Sequence, residues 1–373
     1  MGPLRILQVV TIMNRGGLET MLMNYYRKMD HNKIQFDFIV HRNDKGHYDD
    51  EILELGGKIY RMPQIRPGNY RVYFKKLDDF FVRHREYKIV HSHINENSSF
   101  VLRAAKRAGI PYRIAHSHLS DLGIDMKLPF RLYARLLMQD NPNLYFACSK
   151  KAGEWLFGEK ASHHKEVIVL NNAVNIEEFK YNAEIRREIR NKINVKDKLV
   201  LGHIGRFNKQ KNHNFLIEVF KAVHEKRPDS VLVMIGDGYL RKTIEKKVDN
   251  LGLTSHVKFL GVREDVSNLM QGFDLFVFPS LFEGLPVVLI EAQAAGLKCI
   301  VSNNITSETD VSGRIEFESL ENTPDVWAEK ILSSSYGRKD TSNLLRANGY
   351  DTKTMAKWLT DYYINQVVQT QKI

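Results

Sequence analysis

Short apolar runs alternate along this chain with longer stretches whose apolar residues recur every three or four positions. The short runs are rich in β-branched and aromatic residues, which suit strands. In the first half they are "LRILQVV" (4–10), "IQFDFIV" (34–40), "YKIVHSH" (87–93), "YRIAHSH" (112–118), "LYFACS" (144–149) and "VIVLNN" (167–172). Leu18–Met29, Tyr73–Arg85 and Ser99–Ala108 lie between them with the periodicity of amphipathic helices. The alternation predicts a parallel sheet covered by helices on both faces.

After Val174 the segment "NIEEFKYNAEIRREIRNKINVKDK" is polar, lacks a strand pattern and reads as a connection with some helix. The rhythm then restarts with "LVLGHIGRF" (199–207), "VLVMIGDG" (231–238), "VKFLG" (257–261), "DLFVFPS" (274–280), "KCIVS" (298–302) and "RIEFE" (314–318). Two doubly wound α/β domains are therefore expected, over 1–178 and 179–350, with no short-period repeat. In the tail, 351–373, Met355, Trp358, Leu359 and Tyr362 fall at i, i+3, i+4 and i+7. They predict a helix that needs a partner surface, offered by the N-terminal domain.

Composition narrows the class without naming a task. At 373 residues the chain exceeds what one core usually serves, and 43% hydrophobic content is ordinary for a globular protein. Its apolar runs are too short to cross a bilayer, and its opening residues run straight into a strand pattern rather than a signal peptide. Cys148 and Cys299 sit far apart in apolar runs and read as buried free thiols of a cytoplasmic protein. The net charge of +11 suits phosphorylated ligands or anionic lipid. No nucleic-acid-reading motif accompanies it, so nucleic acid is not an expected partner.

Ligands of open α/β sheets bind beyond the carboxyl ends of the strands, and the chemistry here gathers after strands. In "NRGGLETML" (14–22), Gly16 and Gly17 allow a tight turn into a helix whose free N–H groups favour an anion. The loop is neither a GxGxxG fingerprint nor a Walker loop, and a plain strand-to-helix turn explains it as well. "GRFNKQKN" (205–212) brackets a polar turn with Arg206 and Lys211, a guanidinium fork and a point charge suited to a diphosphate. Two solvated surface cations are the plain alternative. "IGDGYL" (235–240) places Gly236 where a ligand or a tight turn needs room.

The sharpest stretch is "SLFEGLPVVLIEAQAAG" (280–296). Pro286 suits the first turn of a helix. That puts Glu283 in the loop before the helix and Glu291 about one and a half turns into it. Amides near Gly284 and Leu285 would favour phosphate, whereas carboxylates suit sugar and ribose hydroxyls. The strand-end pairs "VHSHIN" (90–95) and "IAHSHLSD" (114–121) put histidines at i and i+2, on one face, an arrangement a metal could use. Structural histidines are the commoner outcome.

Taken together, "NRGGLET", "GRFNKQKN", "IGDG", "FLGVREDV" and "FEGLPVVLIEAQAAGLKCIVS" resemble the retaining GT-B glycosyltransferases of family four, in the family's order and across both domains. The opening residues look closest to members that build bacterial exopolysaccharide or capsule. The resemblance implies two Rossmann-like domains facing across a cleft, the first for the acceptor and the second for the nucleotide sugar. It implies that Arg206 and Lys211 hold the donor diphosphate, Glu283 the sugar hydroxyls and Glu291 the ribose. Gly284 and Leu285 would hold phosphate or sugar through their backbone, Gly236 would give the donor room, and Val262 would reach the base. Gly16 and Gly17 would approach the donor from the N-terminal domain. His118 aligns best with the family's active-site histidine, with His116 as fallback; His93 and His116 are further candidates for the acceptor or the cleft. The protein's own cations neutralise the diphosphate in this family, so neither metal nor cofactor is expected.

The implied reaction moves a hexose or N-acetylhexosamine from a UDP-sugar to a glycan, carried on a polyprenyl diphosphate lipid. Basic amphipathic stretches at 70–85 and 127–138 would then touch the inner face of the cell membrane, although ordinary surface helices would look the same. Three rivals share parts of this pattern. An oxidoreductase should show GxGxxG, which is absent. A non-catalytic supporting subunit has little need of the Arg–Lys–Glu–Glu set. A GT-B-type sugar-nucleotide epimerase shares the donor pocket.

Overall fold

The computed structural model describes residues 2–66, 68–118, 128–158 and 166–370. Residues 119–121 of the second histidine motif, Lys127 of the basic stretch and residues 371–373 of the tail lie outside the described residues. The chain divides into two compact units, Met1–Ala173 with Thr352–Ile373, and Val174–Asp351.

Unit one is built on seven strands: β1 (Leu4–Val10), β2 (Ile34–Val40), β3 (Ile59–Arg61), β4 (Ile89–Ser92), β5 (Tyr112–Ser117), β6 (Leu144–Ala147) and β7 (Val167–Val169). They pair in parallel in the order β3-β2-β1-β4-β5-β6-β7. Every residue of β2 is buried, which explains its unbroken apolar run, since a doubly covered strand has no solvent face. Alternation sends Ile6 and Val10, Ile89, and Ile114 into one core, and Leu7 and Val9, Val90, and Ala115 into the other. The helix Gly17–Tyr26 and the closing helix Thr352–Thr370 cover the first face. Tyr70–Arg83 and Ser98–Arg107 cover the second.

The closing helix packs on unit one as its pattern predicts, with a shifted anchor. Leu359 is buried and Tyr363 fully so, while Trp358 keeps 38% exposure and lies beside Tyr362 and Phe146. Tyr363 directs its hydroxyl inward to a polar partner, so its position follows from chemistry rather than from apolar period.

Unit two repeats the plan with β8 (Leu199–Ile204), β9 (Ser230–Ile235), β10 (Val257–Phe259), β11 (Leu275–Phe278), β12 (Lys298–Ser302) and β13 (Ile315–Glu318). Their order is β10-β9-β8-β11-β12-β13, again parallel. The polar segment after Val174 folds as helices Ile176–Phe179 and Ala183–Lys192 within this unit. Arg186 and Arg190 of the second helix grip Asp274, just before β11. Both cysteines are buried free thiols, and burial pushes Cys148 up to about 11 and Cys299 to about 12. Among the described residues no helix is long and apolar enough to cross a membrane.

In both units the strand order reverses beside the first strand, between β1 and β4 and between β8 and β11. The loops leaving those strands diverge, and that divergence opens a crevice at the carboxyl edge of each sheet.

Candidate active site

In unit two, the residues expected after β8 and β11 meet at this switch point. β8 runs into Gly205 and Arg206, then the turn helix Lys209–Lys211 and the helix His213–Lys226. Asn208 caps the turn, its Oδ1 accepting from the Lys211 N–H at 3.1 Å. The Lys211 ammonium then donates to Glu283 Oε1 at 2.6 Å and lies 4.4 Å above the Phe278 ring centroid. Both charges are largely shielded, at 15% and 9% side-chain exposure. Such a pair is strong geometrically, but desolvation offsets much of its attraction. The backbone stitches the same loops together: Leu281 N–H donates to Gln210 O at 2.8 Å, and Gln210 Nε2 to Phe282 O at 3.0 Å.

Arg206 is the opposite case. Its side chain is exposed and makes no hydrogen bond or ion pair among the described residues. An exposed guanidinium without a protein partner among the described residues can engage an anion. Gly236 brings the next loop up against this one. Its φ is +133°, and a Cβ there would come within 2.1 Å of the Gly205 carbonyl oxygen. Only glycine fits. Gly236 N–H in turn donates to Gly261 O at 2.8 Å, which places the exposed Val262 next in line.

The helix after β11 begins at Val287, so Pro286 is its N-cap rather than a first-turn residue. Its φ of −71° and extended ψ set the entry of the chain, and no side chain caps the helix. Gly284 is exposed with open space around its Cα, and Leu285 packs on the core. Glu291, the fifth residue of the helix, is pushed up to about 7 by burial and by the Glu178 carboxylate. It lacks a hydrogen-bond or ion-pair partner among the described residues. A raised, unpartnered carboxylate is poised for hydroxyl donors from a ligand. Asn208, Phe278 and Glu178 were not singled out in the sequence. Only the Asn208 cap had a visible signal, an N-cap residue opening a short turn.

Unit one holds its candidates differently. Gly16 is the N-cap of the helix Gly17–Tyr26, and a Cβ on it would lie 2.3 Å from Glu19 Oε2. The Glu19 carboxylate thus already occupies the helix terminus expected for an anion. Gly17 is exposed with open space around it.

The histidines form a packed cluster on the face covered by the closing helix. His91 Nδ1 lies 2.6 Å from the Tyr363 hydroxyl and His91 Nε2 lies 3.1 Å from His116 Nδ1. His93 Nε2 lies 2.8 Å from Gln8 Oε1 and His93 Nδ1 lies 3.0 Å from His118 Nε2. His93 and His116 are buried, while His118 retains some surface and its backbone N–H donates to Asn95 Oδ1 at 3.0 Å. Desolvation holds all four rings neutral, with His118 lowered to about 3. Ring nitrogens of His91, His93 and His116 lie within 4.8 Å of one another, a spacing open to a metal. His91 and His93 have both ring nitrogens engaged in hydrogen bonds, so a metal ligated by either would displace one of those bonds.

Unit one has two more features that bear on binding. A cavity of about 330 Å³ is lined by Thr11, His41, Gln64, Arg66, Tyr73 and Arg131 among others. The two basic stretches also part company. Tyr70–Arg83 buries Tyr73, Leu77, Phe80 and Phe81, the ordinary face of a surface helix. Leu128–Leu136 buries only Ala134 and exposes Leu132, Tyr133 and Leu136 beside Arg131 and Arg135.

Comparisons with known proteins agree with this geometry. Residues 15–178 match the family model "Glycosyltransferase Family 4" and residues 185–339 match "Glycosyl transferases group 1". The chain is 37% identical to the putative glycosyltransferase EpsF of Bacillus subtilis, over 96% of each chain. It is 27% identical to an Escherichia coli UDP-Gal:alpha-D-GlcNAc-diphosphoundecaprenol alpha-1,3-galactosyltransferase, over 77% of this chain and 78% of that one. The crystal structure of Anabaena Alr3699/HepE in complex with UDP superposes at a TM-score of 0.78 with 17% identity, covering 97% of this chain and 100% of that one. With both halves matched in order and the two-sheet plan in place, the chain belongs to the family 4 glycosyltransferases of the GT-B fold.

Proposed function

We propose that the protein transfers a hexose or N-acetylhexosamine from a UDP-sugar to a glycan acceptor borne on a polyprenyl diphosphate lipid, in exopolysaccharide or capsule synthesis. The observation that carries this reading is the cation pair at the switch point of unit two. Arg206 is exposed and unpaired among the described residues, and Lys211 is held by a carboxylate that a sugar can compete for. On this reading the diphosphate takes Arg206 and the Lys211 ammonium, the sugar hydroxyls take Glu283, and the ribose takes Glu291. Gly236, Gly284 and Leu285 give close backbone approach, Val262 flanks the base, and Gly16 and Gly17 serve the reacting region.

In the step itself the bond from the anomeric carbon to the β-phosphate oxygen breaks, and the acceptor oxygen bonds to the same carbon on the same face. The acceptor proton passes to the departing phosphate, and UDP leaves. Arg206 and Lys211 stabilise the charge that develops on that oxygen. No carboxylate is needed as nucleophile, and the protein's own cations do what a metal ion would otherwise do. The UDP of the Anabaena structure and the lipid-linked acceptor in the Escherichia coli relative's name support donor and acceptor classes. In unit one, the cavity beside Arg66 and Arg131 supports an anionic acceptor, and the exposed face of Leu128–Leu136 supports contact with the cytoplasmic membrane surface.

The test is nucleotide release from a panel of sugar nucleotides, with and without a lipid-diphosphate glycan, in buffer containing a chelator. Release of UDP only with acceptor, and a product of retained anomeric configuration by NMR, are expected. Interconversion of sugar nucleotides without acceptor would instead identify an epimerase, and no turnover with any donor would leave a supporting subunit.

A further inference from the structure

The histidine cluster contains more order than the placement of one active-site ring requires. Gln8 of β1 is fully buried on a face otherwise lined by Ile6 and Val10. A buried amide is costly unless its hydrogen bonds are used. Its Oε1 faces His93 Nε2 at 2.8 Å, and its Nε2 is buried with no hydrogen-bond partner among the described residues. With the oxygen turned to the ring, His93 must carry its proton on Nε2 and donate it.

A neutral imidazole has one N–H and one lone pair, so a line of such rings has a single polarity, fixed at its closed end. His93 Nδ1 is then an acceptor, and the nitrogen 3.0 Å away, His118 Nε2, must donate to it. That leaves the lone pair of His118 on Nδ1, which has no partner among the described residues. The neighbouring line from Tyr363 through His91 to His116 ends differently. Its last nitrogen, His116 Nε2, is buried without a partner among the described residues. Only the line that starts at Gln8 emerges at a ring with surface.

We propose that Gln8 and His93 are positioning residues that hold His118 in its Nε2–H tautomer and present a bare Nδ1 as acceptor for a hydroxyl of the transferred sugar. The sugar half of this statement rests on the function proposed above; the tautomer half does not. His118 so held accepts from a hydroxyl and cannot donate to one, which favours donors with a free hydroxyl at that place over those carrying a carboxylate.

The test is the side-chain ¹⁵N spectrum of histidine-labelled protein, with His118 assigned by its loss in His118→Asn. Wild type should show His118 as a single neutral form, protonated at Nε2 and bare at Nδ1. Gln8→Glu keeps an acceptor facing His93 and should keep that form. Gln8→Met, similar in size but unable to accept, should turn it into a mixture of tautomers. With the preferred sugar nucleotide, Gln8→Met should lower kcat about tenfold, with donor KM within about threefold of wild type, and Gln8→Glu should restore kcat. An Nδ1–H form in wild type, or a Gln8→Met spectrum unchanged from wild type, would overturn the proposal. If Gln8→Met does not fold, the wild-type spectrum still decides it. Absence of turnover in wild type would count against the enzymatic reading while leaving the tautomer result standing.

Discussion

The same topological feature, the reversal of strand order beside the first strand, is filled in opposite ways in the two units. In unit one it holds neutral imidazoles hydrogen-bonded to one another, with Gln8 and Tyr363 each closing one end of a line. In unit two it holds formal charges, a shielded Lys211–Glu283 pair and an Arg206 with no partner among the described residues. Burial accounts for the difference. The unit-one crevice is roofed by the closing helix, so charge would be expelled there and only neutral donors and acceptors survive. The unit-two loops stay partly open, so charge is retained for a ligand to neutralise. The difference teaches that topology locates a site, whereas what covers it decides its chemistry.

Acid should separate the two most strongly. His41, His91, His93, His116 and His118 of unit one all have pKa values depressed by desolvation, against His203, His213 and His224 in unit two. A depressed folded pKa contributes stability above the unfolded value near 6.5, and that stability is lost as pH falls below it, where only the unfolded chain takes up protons. The four protons excluded from the His91, His93, His116 and His118 cluster would cost about 5 kcal/mol per pH unit. Hydrogen exchange followed from pH 7 to pH 5 should therefore show β4 and β5 losing protection before β8 and β11. The opposite order would break the comparison.

Lys211→Ala comes next. Turnover should fall by about 10²–10³ with near-ultraviolet circular dichroism preserved, and near-normal turnover would remove Lys211 from the site. A smaller effect concerns Glu291, whose folded pKa of about 7 exceeds its ordinary 4.5. Its stabilising share is complete below the unfolded value and is lost as pH rises through 7. Glu291→Gln should thus raise stability at pH 8 by about 1–3 kcal/mol and by almost nothing at pH 5, read from denaturant midpoints. The smallest effect sharpens the other side. Tyr363→Phe leaves His91 Nδ1 buried without its 2.6 Å partner, a loss of about 1–2 kcal/mol measurable by urea unfolding.

Much of this arrangement was legible in the chain. The strands were readable because doubly buried strands are continuous apolar runs, and β2, β9 and β11 are buried along their whole length. β3, three residues at the sheet edge with none buried, left no such mark. Gly16, Arg206, Lys211, Gly236 and Glu283 were legible because loops after strands carry chemistry. Their mutual contacts were not. That Lys211 pairs with Glu283, 72 residues on, or that Glu19 folds over Gly16, depends on side-chain directions no local pattern encodes. The histidine pairs were visible as i, i+2 repeats, but their closure through Gln8 and Tyr363 joins residues 85 and 272 positions apart from their partners.

The central claim is that Lys211 serves phosphate and Glu283 serves sugar, their ion pair in the free protein being a resting state. Calorimetry of UDP and of a UDP-sugar against Lys211→Ala and Glu283→Gln tests it most directly. Lys211→Ala should weaken both ligands about tenfold or more. Glu283→Gln should leave UDP unchanged or tighter, because the ammonium is freed, and should weaken only the UDP-sugar. Equal losses of UDP affinity in the two variants, or no loss in either, would contradict it.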